Sequence, residues 1–210
     1  MNASRREFLC AGSGAALGFA LFAGEASAQA NPDITIGGAG SSVHLVEYAS
    51  LTCPHCAAFH AEVFPRLKQN YIDTQRIRFT LREFPTQPVV VAVSGFLLAR
   101  CGNPAPDVYY TRIGVLFERQ RAILSTGNME GVRRALVEIG IGWGLSEEQV
   151  MACITNEAAV PGIRAVVEEG VSRYGINSTP SLVLNEQVLR DSSAMTFDGL
   201  SSVLDAALSD

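Results

Sequence analysis

Two cysteines stand two residues apart at the point where the periodicity of the chain changes. Residues 43–49, VHLVEYA, are rich in β-forming residues and predict a buried strand. From Pro54 onward the apolar residues recur every three or four positions, which predicts a helix. Cys53 therefore comes just before a helix begins, and Cys56 lies one turn inside it. A CxxC pair at a strand-to-helix junction predicts an α/β fold built around a redox site.

The position of Cys53 favours its thiolate form. Unpaired backbone N–H groups and the dipole at a helix start stabilise an anion. Thiols in such pairs have pKa values of about 3.5 to 7.5, compared with about 8.5 for a free cysteine. His55 stands between the cysteines and can add positive charge beside Cys53 or donate a hydrogen bond to its sulfur. Because thiolates attack disulfides, we predict a redox-active Cys53–Cys56 disulfide that needs no other cofactor.

A cysteine pair with this spacing can also serve as a structural disulfide or as part of a zinc site. A bridge that closes so small a loop, however, restrains the unfolded chain little. A zinc site needs two more ligands. The sequence has no second CxxC, and His44 and His60 complete no recognisable ligand spacing. We therefore predict no metal site, and we expect both histidines to be surface or half-buried residues without a functional role.

The first 28 residues predict export. Arg5 and Arg6 precede a mildly apolar run, and Ala26-Ser27-Ala28 offers a small-x-small cleavage site. The run SRREFL resembles a twin-arginine export signal, although an ordinary secretory signal has the same layout. We expect a signal peptide at residues 1–28, cleaved near Ala28, and a mature protein in the periplasm.

Charge and cysteine count limit the partners and the covalent structure of the mature chain. With 16 basic and 21 acidic residues the net charge is −5, and the arginines are scattered, which argues against nucleic acid as a partner. Four cysteines remain after cleavage, and an oxidising compartment favours their pairing. A bridge between Cys101 and Cys153 would be worth roughly 4 kcal/mol in the chain-entropy model. Two unpaired buried thiols are the alternative.

The predicted elements form one sheet that a block of helices interrupts in sequence. Strands are predicted at residues 33–36, 43–49, 76–84, 181–185 and 187–190. One helix starts at Pro54 and should kink at Pro65, and the other helices are predicted at residues 89–100, 107–121, 129–140, 146–154, 160–174 and 197–208. The order is strand–helix–strand, a block of helices, then helix–hairpin–helix.

The residues around the cysteine pair resemble those of DsbA-type thiol oxidases, which are thioredoxin-fold proteins of the bacterial periplasm. The resemblance rests on Glu47 in the strand, CPHC at the helix start, Pro65 in that helix, and STPSLVL before a later strand. It covers most of residues 33–210. It implies an α/β thioredoxin fold, a central mixed sheet flanked by helices, with an inserted all-helical subdomain. We expect one domain at residues 29–210, with the insertion at about 87–165.

The resemblance also implies roles for individual residues. Cys53 matches the attacking cysteine and Cys56 the resolving one. Pro180 matches a proline that adopts a cis bond and faces the cysteines, and with Thr179 its backbone would hold an extended substrate segment. Glu47 matches a buried acid that can accept a proton from Cys56. The alternation of the strand alone does not decide whether Glu47 is buried or exposed.

The function implied is donation of the Cys53–Cys56 disulfide to unfolded or reduced exported proteins. A DsbB-like, quinone-linked membrane partner would reoxidise the pair. An extra bridge such as Cys101–Cys153 is similar to what some DsbA-type proteins show. Thr179 replaces the valine of the enterobacterial oxidase and is also similar to isomerases and reductases, so an isomerase or reductase remains an alternative.

Two further expectations concern assembly and a different class of function. Only residues 29–42 precede the main strand, too few for the oligomerisation domain of known isomerases, so we expect a monomeric oxidase. A non-catalytic module that binds peptides or a metal is the third hypothesis, and it would not need Cys53.

Overall fold

A computed structural model describes residues 31–209, so the predicted signal peptide at residues 1–28 lies outside the described residues. Five strands form one mixed sheet in the order β1-β3-β2-β4-β5. The central strand β2 runs parallel to β3 and antiparallel to β4, while β1 and β5 are antiparallel edge strands. The strand bounds are β1 Thr35–Gly37, β2 His44–Ala49, β3 Arg78–Glu83, β4 Ser181–Leu184 and β5 Gln187–Val188.

Helices cover both faces of the sheet, and five of them follow one another between β3 and β4. The α-helices are α1 Pro54–Glu62, α2 Phe64–Leu67, α3 Val89–Ala99, α4 Pro106–Leu124, α5 Met129–Gly142, α6 Glu147–Ile154, α7 Val160–Tyr174 and α8 Phe197–Ala207. The helical block α3–α6 precedes α7, which returns the chain to the sheet. The predicted fold class, a mixed central sheet flanked by helices with a helical insertion, is confirmed.

Proline breaks the first helix where the sequence predicted a kink. Helix α1 ends at Glu62, and Pro65 lies in the first turn of the short helix α2. Proline lacks a backbone N–H, so it disrupts a continuous helix but is tolerated in the first turn of a new one. A π-helical turn, Lys68–Ile72, then leads toward β3.

The sheet separates two apolar clusters, because alternate residues of a strand face opposite sides. Leu45 and Ala49 of β2 belong to the larger cluster, which the helices α1 to α6 and α8 complete. Val46 and Tyr48 belong to the smaller one, which α7 covers. Gly170 lets α7 approach closely, since a Cβ there would lie 2.8 Å from the ring of Tyr48.

Helices α6 and α7 together make a long apolar stretch. Residues 147–174 are long and apolar enough to cross a membrane by length and composition alone. A 3-10 turn, Glu157–Ala159, separates the two helices. Ile163 and Val166 of α7 are buried within the protein.

The hairpin β4–β5 was predicted in spite of its weak turn sequence. Asn185 and Glu186 form the two-residue turn with φ values of 44° and 69°. Positive φ at both positions is what a type I′ turn requires. Asn185 adopts positive φ more readily than most residues, whereas Glu186 rarely does. The first strand of this hairpin, β4, pairs directly with β2.

Candidate active site

The cysteine pair lies where β2 ends and α1 begins. Cys53 occupies the N-cap position of α1 in an extended conformation, and Pro54 is the first helical residue. The Thr179–Pro180 peptide bond is cis and precedes β4, the neighbour of β2 in the sheet. The thiol of Cys53 donates a hydrogen bond to the carbonyl oxygen of Thr179 at 3.2 Å. The structure thus brings the two predicted segments into direct contact, although they are 126 residues apart.

The surroundings of Cys53 stabilise its thiolate. They lower its pKa from 9.0 to about 5, chiefly through a hydrogen bond from the thiol of Cys56. Burial opposes this effect, while the hydroxyl of Thr179 and the backbone N–H groups of Cys56 and His55 add to it. In the dithiol form the Thr179 hydroxyl is buried and has no hydrogen-bond partner. It is therefore free to donate to the sulfur once Cys53 ionises.

His55 contributes differently from the sequence-based expectation. We predicted that its side chain supplies positive charge or a hydrogen bond to Cys53. The side chain is exposed, and the contribution of His55 to the lowered pKa of Cys53 is a hydrogen bond from its backbone N–H, smaller than that of the Cys56 thiol. A residue other than histidine would present the same backbone donor at this position.

Cys56 has the opposite character. Its side chain is fully buried, and the backbone N–H of Ser50 approaches its sulfur at 3.5 Å. Burial raises the pKa of Cys56 far above its ordinary value, and the hydrogen bond to Cys53 and the charge of Glu47 raise it further. Of the two sulfurs, Cys53 therefore carries the negative charge. Both cysteines are free thiols in this structure, so it represents the reduced form.

Glu47 is completely buried, which settles the question that strand alternation left open. Its Oε2 lies 2.9 Å from Nε2 of His60. Our expectation that His60 is a surface or half-buried residue was wrong, because only 8% of it is exposed. It lies one turn after Cys56 on the buried side of α1, stacked against the rings of Phe64 and Phe117.

His44, in contrast, is half-buried as expected. It lies at the opposite end of β2 from the cysteines and its Nε2 is 2.8 Å from the hydroxyl of Thr80. Within residues 31–209, no group of three or more His, Cys, Asp and Glu side chains is arranged to hold a metal ion.

Gln120 of α4 holds the active-site loop and was missed by the sequence analysis. Its buried Nε2 donates to the carbonyl oxygens of Leu51 and Cys53 at 3.0 and 2.9 Å. These bonds connect the helical block to the start of α1. The only sequence signal is a polar residue among the apolar positions of α4, and nothing in the sequence identifies its partners 67 and 69 residues away.

A buried cluster of hydroxyl groups fixes the other side of the loop. The Ser50 hydroxyl accepts hydrogen bonds from the backbone N–H groups of Thr52 and Thr86. The Thr52 hydroxyl in turn donates to the carbonyl oxygen of Thr86. Together with Gln120, this cluster positions the segment between β2 and Cys53 from two directions.

The second cysteine pair lies away from this site. Cys101 and Cys153 are bonded, with Cα atoms 5.6 Å apart, and they connect the carboxyl ends of α3 and α6. The bridge therefore lies wholly within the helical block. The elements that it joins are different from those that carry Cys53, Cys56 and the cis-proline.

Comparison with known proteins identifies the family. A family model described as "Thioredoxin" matches residues 29–206. The chain belongs to the thioredoxin family. The matched region contains both cysteines of the CxxC pair, the cis-proline loop and the helical block, so the whole candidate site of this thioredoxin-family protein lies within it.

Individual relatives agree with this assignment. A Rickettsia typhi protein named "Putative protein-disulfide oxidoreductase" is 31% identical over 182 residues, which cover 86% of this chain and 63% of that protein. The chain thus spans less than two thirds of the length of the curated relatives it matches.

Solved structures show the same fold. Wolbachia pipientis alpha-DsbA1 superposes with a TM-score of 0.71 at 23% identity, covering 87% of this chain and 96% of that one. A protein-disulfide isomerase from Novosphingobium aromaticivorans gives a TM-score of 0.69 at 21% identity, covering 86% and 100%. One of these proteins is named a DsbA and the other a protein-disulfide isomerase, so the shared fold by itself does not decide the activity.

Proposed function

We propose that this thioredoxin-family protein is a protein-disulfide oxidoreductase that introduces disulfide bonds into exported proteins in the periplasm. The observation that supports the proposal is the difference in pKa between the two thiols. The protein lowers the pKa of Cys53, so this thiol ionises easily, whereas the more deeply buried Cys56 resists ionisation. A stabilised thiolate favours the reduced pair, and the disulfide is then a strong oxidant of other thiols.

The reaction proceeds by two thiol–disulfide exchanges. A substrate thiolate attacks Sγ of Cys53, a mixed disulfide forms, and Cys56 leaves and takes up a proton. A second substrate thiolate then attacks the substrate sulfur, and Cys53 leaves as a thiolate. Two electrons pass from the substrate dithiol to the protein, and the Cys53–Cys56 disulfide is the only redox group required. The low pKa of Cys53 supports the second step because a more acidic thiol leaves faster.

The cis-proline loop supplies the surface on which the substrate would be held. Thr179 lies within hydrogen-bonding distance of Cys53, so an extended segment beside its backbone would place a substrate sulfur near the reacting atom. Backbone pairing of this kind accepts many sequences, since it uses groups that every residue has. This fits a catalyst whose substrates are unfolded or reduced exported proteins.

Reoxidation requires a second protein. We propose a DsbB-like, quinone-linked membrane oxidase as the acceptor of the two electrons. We further propose that the protein is monomeric and reacts with both its substrates and this partner through Cys53. Export by the signal predicted at residues 1–28 would place the protein in the compartment where both are found.

An isomerase or reductase is the second candidate, and Thr179 is the observation that favours it. Its hydroxyl can donate to the Cys53 thiolate, and threonine at this position is also similar to isomerases and reductases. A hydrogen bond there stabilises the attacking thiolate that an isomerase needs. The same hydrogen bond also stabilises the reduced form of the pair, as an oxidase requires. The oxidase and the isomerase are therefore separated by measuring the direction of the reaction.

The equilibrium constant of the Cys53–Cys56 pair with glutathione tests the direction of the reaction. We expect a pair more oxidising than thioredoxin, with rapid oxidation of a reduced, unfolded model substrate. Cys53→Ala should abolish this oxidation, and Cys56→Ala should trap mixed disulfides on Cys53. A pair as reducing as thioredoxin would overturn the oxidase assignment. Retained activity in the Cys53→Ala protein would overturn thiol chemistry altogether and favour a binding module.

A further inference from the structure

A polar cavity of about 420 Å³ opens on the α7 side of the sheet, at the end of β2 that is opposite the cysteines. Helix α7 packs closely on Tyr48 through Gly170. The first residues of β2 and β3, His44 and Arg78, are paired in register and are only half-buried. The volume of the cavity is in the range of small-molecule sites, so its lining was searched for groups that could hold a ligand.

A chain of ion pairs forms one wall of the cavity. Arg82 contacts Asp33 at 2.8 Å and Glu169 at 3.1 Å. Arg173 contacts Glu169 at 3.6 Å and Glu186 at 2.8 Å. Both guanidinium groups of this wall therefore have carboxylate partners within the protein, and they leave little positive charge for a ligand.

Arg78, on the other side of the cavity, has no such partner. Its Nε donates to the carbonyl oxygen of Ser41 at 3.1 Å. Within residues 31–209, no carboxylate pairs with this guanidinium, and no acceptor bonds its two terminal nitrogens. Arginine carries five N–H donors in a fixed planar fork, so Arg78 presents unused donors to the cavity that it lines.

Two further polar groups line the cavity close to Arg78. Asn185 uses its Oδ1 to accept from the backbone N–H of His44 at 2.8 Å. Its Nδ2 donates to no acceptor in the described part of the chain, and the same is true of the Ser42 hydroxyl. Both residues adjoin His44, the register partner of Arg78, so donors from three segments meet at one end of the cavity.

The floor of the cavity is apolar and aromatic. Val46 of β2 faces Val183 of β4, and the ring centroids of Tyr48 and Tyr174 are 6.1 Å apart. All four side chains line the cavity. Small-molecule sites commonly combine such a surface with a few polar groups that fix the orientation of the ligand.

We propose that this cavity binds a small organic carboxylate with an apolar or aromatic body, and that Arg78, Asn185 and Ser42 hold its carboxylate group. A guanidinium binds a carboxylate through two parallel N–H···O bonds. A free organic acid and the C-terminal residue of a peptide share this chemistry. The site lies at the other end of β2 from Cys53, so the inference does not depend on the proposed redox function.

His44 reports on the charge of this site. Burial lowers the pKa of His44, and the positive charge of Arg78 lowers it further; Arg82 acts in the same direction and Asp33 in the opposite one. The other charged groups that line the cavity belong to α7 and to the hairpin turn: Glu169, Arg173 and Glu186. A carboxylate bound to Arg78 offsets its charge and should raise the pKa of His44.

NMR titration of the imidazole signals tests the proposal with N-acetyl-L-phenylalanine as the probe. The chain has three histidines, and the exposed side chain of His55 serves as the internal control. We expect a dissociation constant of about 0.1–1 mM, the affinity that suits about 15 non-hydrogen atoms, and a higher pKa of His44 in the complex. N-acetyl-L-phenylalaninamide, which lacks the carboxylate, should bind at least about tenfold more weakly and leave this pKa unchanged.

Arg78→Gln should weaken binding of the acid by at least about tenfold, the size of a lost hydrogen bond to a charged group. It should also raise the pKa of His44 in the free protein and abolish the response of this pKa to the acid. Arg112→Gln is the matched control. Arg112 is also a half-buried arginine that donates to backbone carbonyl oxygens, but it lies in the helical block. This variant should bind the acid like the wild type.

Three results would overturn the inference. If the acid and the amide bind equally, or the acid leaves the pKa of His44 unchanged, no carboxylate is held at Arg78. If inorganic phosphate binds as tightly as the acid and shifts His44 as far, the cavity takes any anion and the apolar floor adds nothing. If Arg78→Gln and Arg112→Gln weaken binding equally, Arg78 has no specific part. Should Arg78→Gln not fold, the comparison of acid and amide on the wild-type protein decides.

Discussion

The thiolate of Cys53 should stabilise the reduced protein by an amount that depends on pH. The perturbation is Cys53→Ser, which replaces the thiol by a group that does not titrate in the accessible range. The folded structure lowers the pKa of Cys53 from 9.0 to about 5. Because the folded pKa is the lower one, the stabilisation is fully present above pH 9.0 and is lost as the pH falls through 5.

The size of this stabilisation follows from the difference between the folded and unfolded pKa values of Cys53. Each pH unit between the two pKa values is worth about 1.4 kcal/mol. At pH 7, two units above the folded pKa, ionisation of Cys53 should contribute about 3 kcal/mol to the free energy of unfolding. Cys56 adds nothing to this pH dependence below pH 8. Burial raises its pKa in the folded protein, and its ordinary pKa of 9.0 keeps it a thiol in the unfolded chain.

Urea denaturation of the reduced wild-type and Cys53→Ser proteins at several pH values between 4 and 8 measures this contribution. Every other titrating group is common to both proteins, so the difference in unfolding free energy isolates Cys53. We expect a small constant difference at pH 4, where Cys53 is protonated in both states, and a widening gap above pH 5. A difference that stays the same over the whole range would refute a stabilised thiolate, and with it the argument for an oxidising disulfide.

Three further predictions concern the support of the site. Cys56→Ala should raise the pKa of Cys53 by roughly 1 to 2 units, because a hydrogen bond to a charged group is worth about 1.5–3 kcal/mol. The pH dependence of iodoacetamide alkylation measures this pKa. An unchanged value would contradict the hydrogen bond from Cys56 as the main cause of the low pKa. Replacing Cys101 and Cys153 together by serine should cost about 4 kcal/mol for a separation of 52 residues. Urea denaturation under oxidising conditions tests this, while glutathione exchange at Cys53 should persist; a loss of exchange in the folded variant would show that the bridge acts on the site. Gln120→Leu should lower the free energy of unfolding by about 1–3 kcal/mol, since it leaves a buried carbonyl oxygen without a donor. An unchanged free energy of unfolding would mean that water replaces the amide as the donor.

His60 shows how far sequence reasoning reached and where it stopped. The spacing of apolar residues in α1 already included His60 with Cys56 and Phe59, so its burial was predictable from periodicity. Its contact with Glu47 was not predictable, because the acid that faces it lies in another element. Gln120 is a similar case: its place on the buried side of α4 follows from spacing, but its partners depend on how the helical block docks.

The amino-acid sequence by itself determined the order and the type of the elements, because apolar periodicity and the positions of proline and glycine are local properties. It also determined that Cys53 caps a helix while Cys56 lies one turn inside it, from which unequal thiols follow. Only the tertiary structure decided which distant groups surround them. Thr179 meets Cys53 because β4 pairs with β2, and His60 meets Glu47 because α1 packs on the same strand. The stability of the Cys53 thiolate depends on such contacts of a few ångströms, and these contacts exist only after the chain has folded.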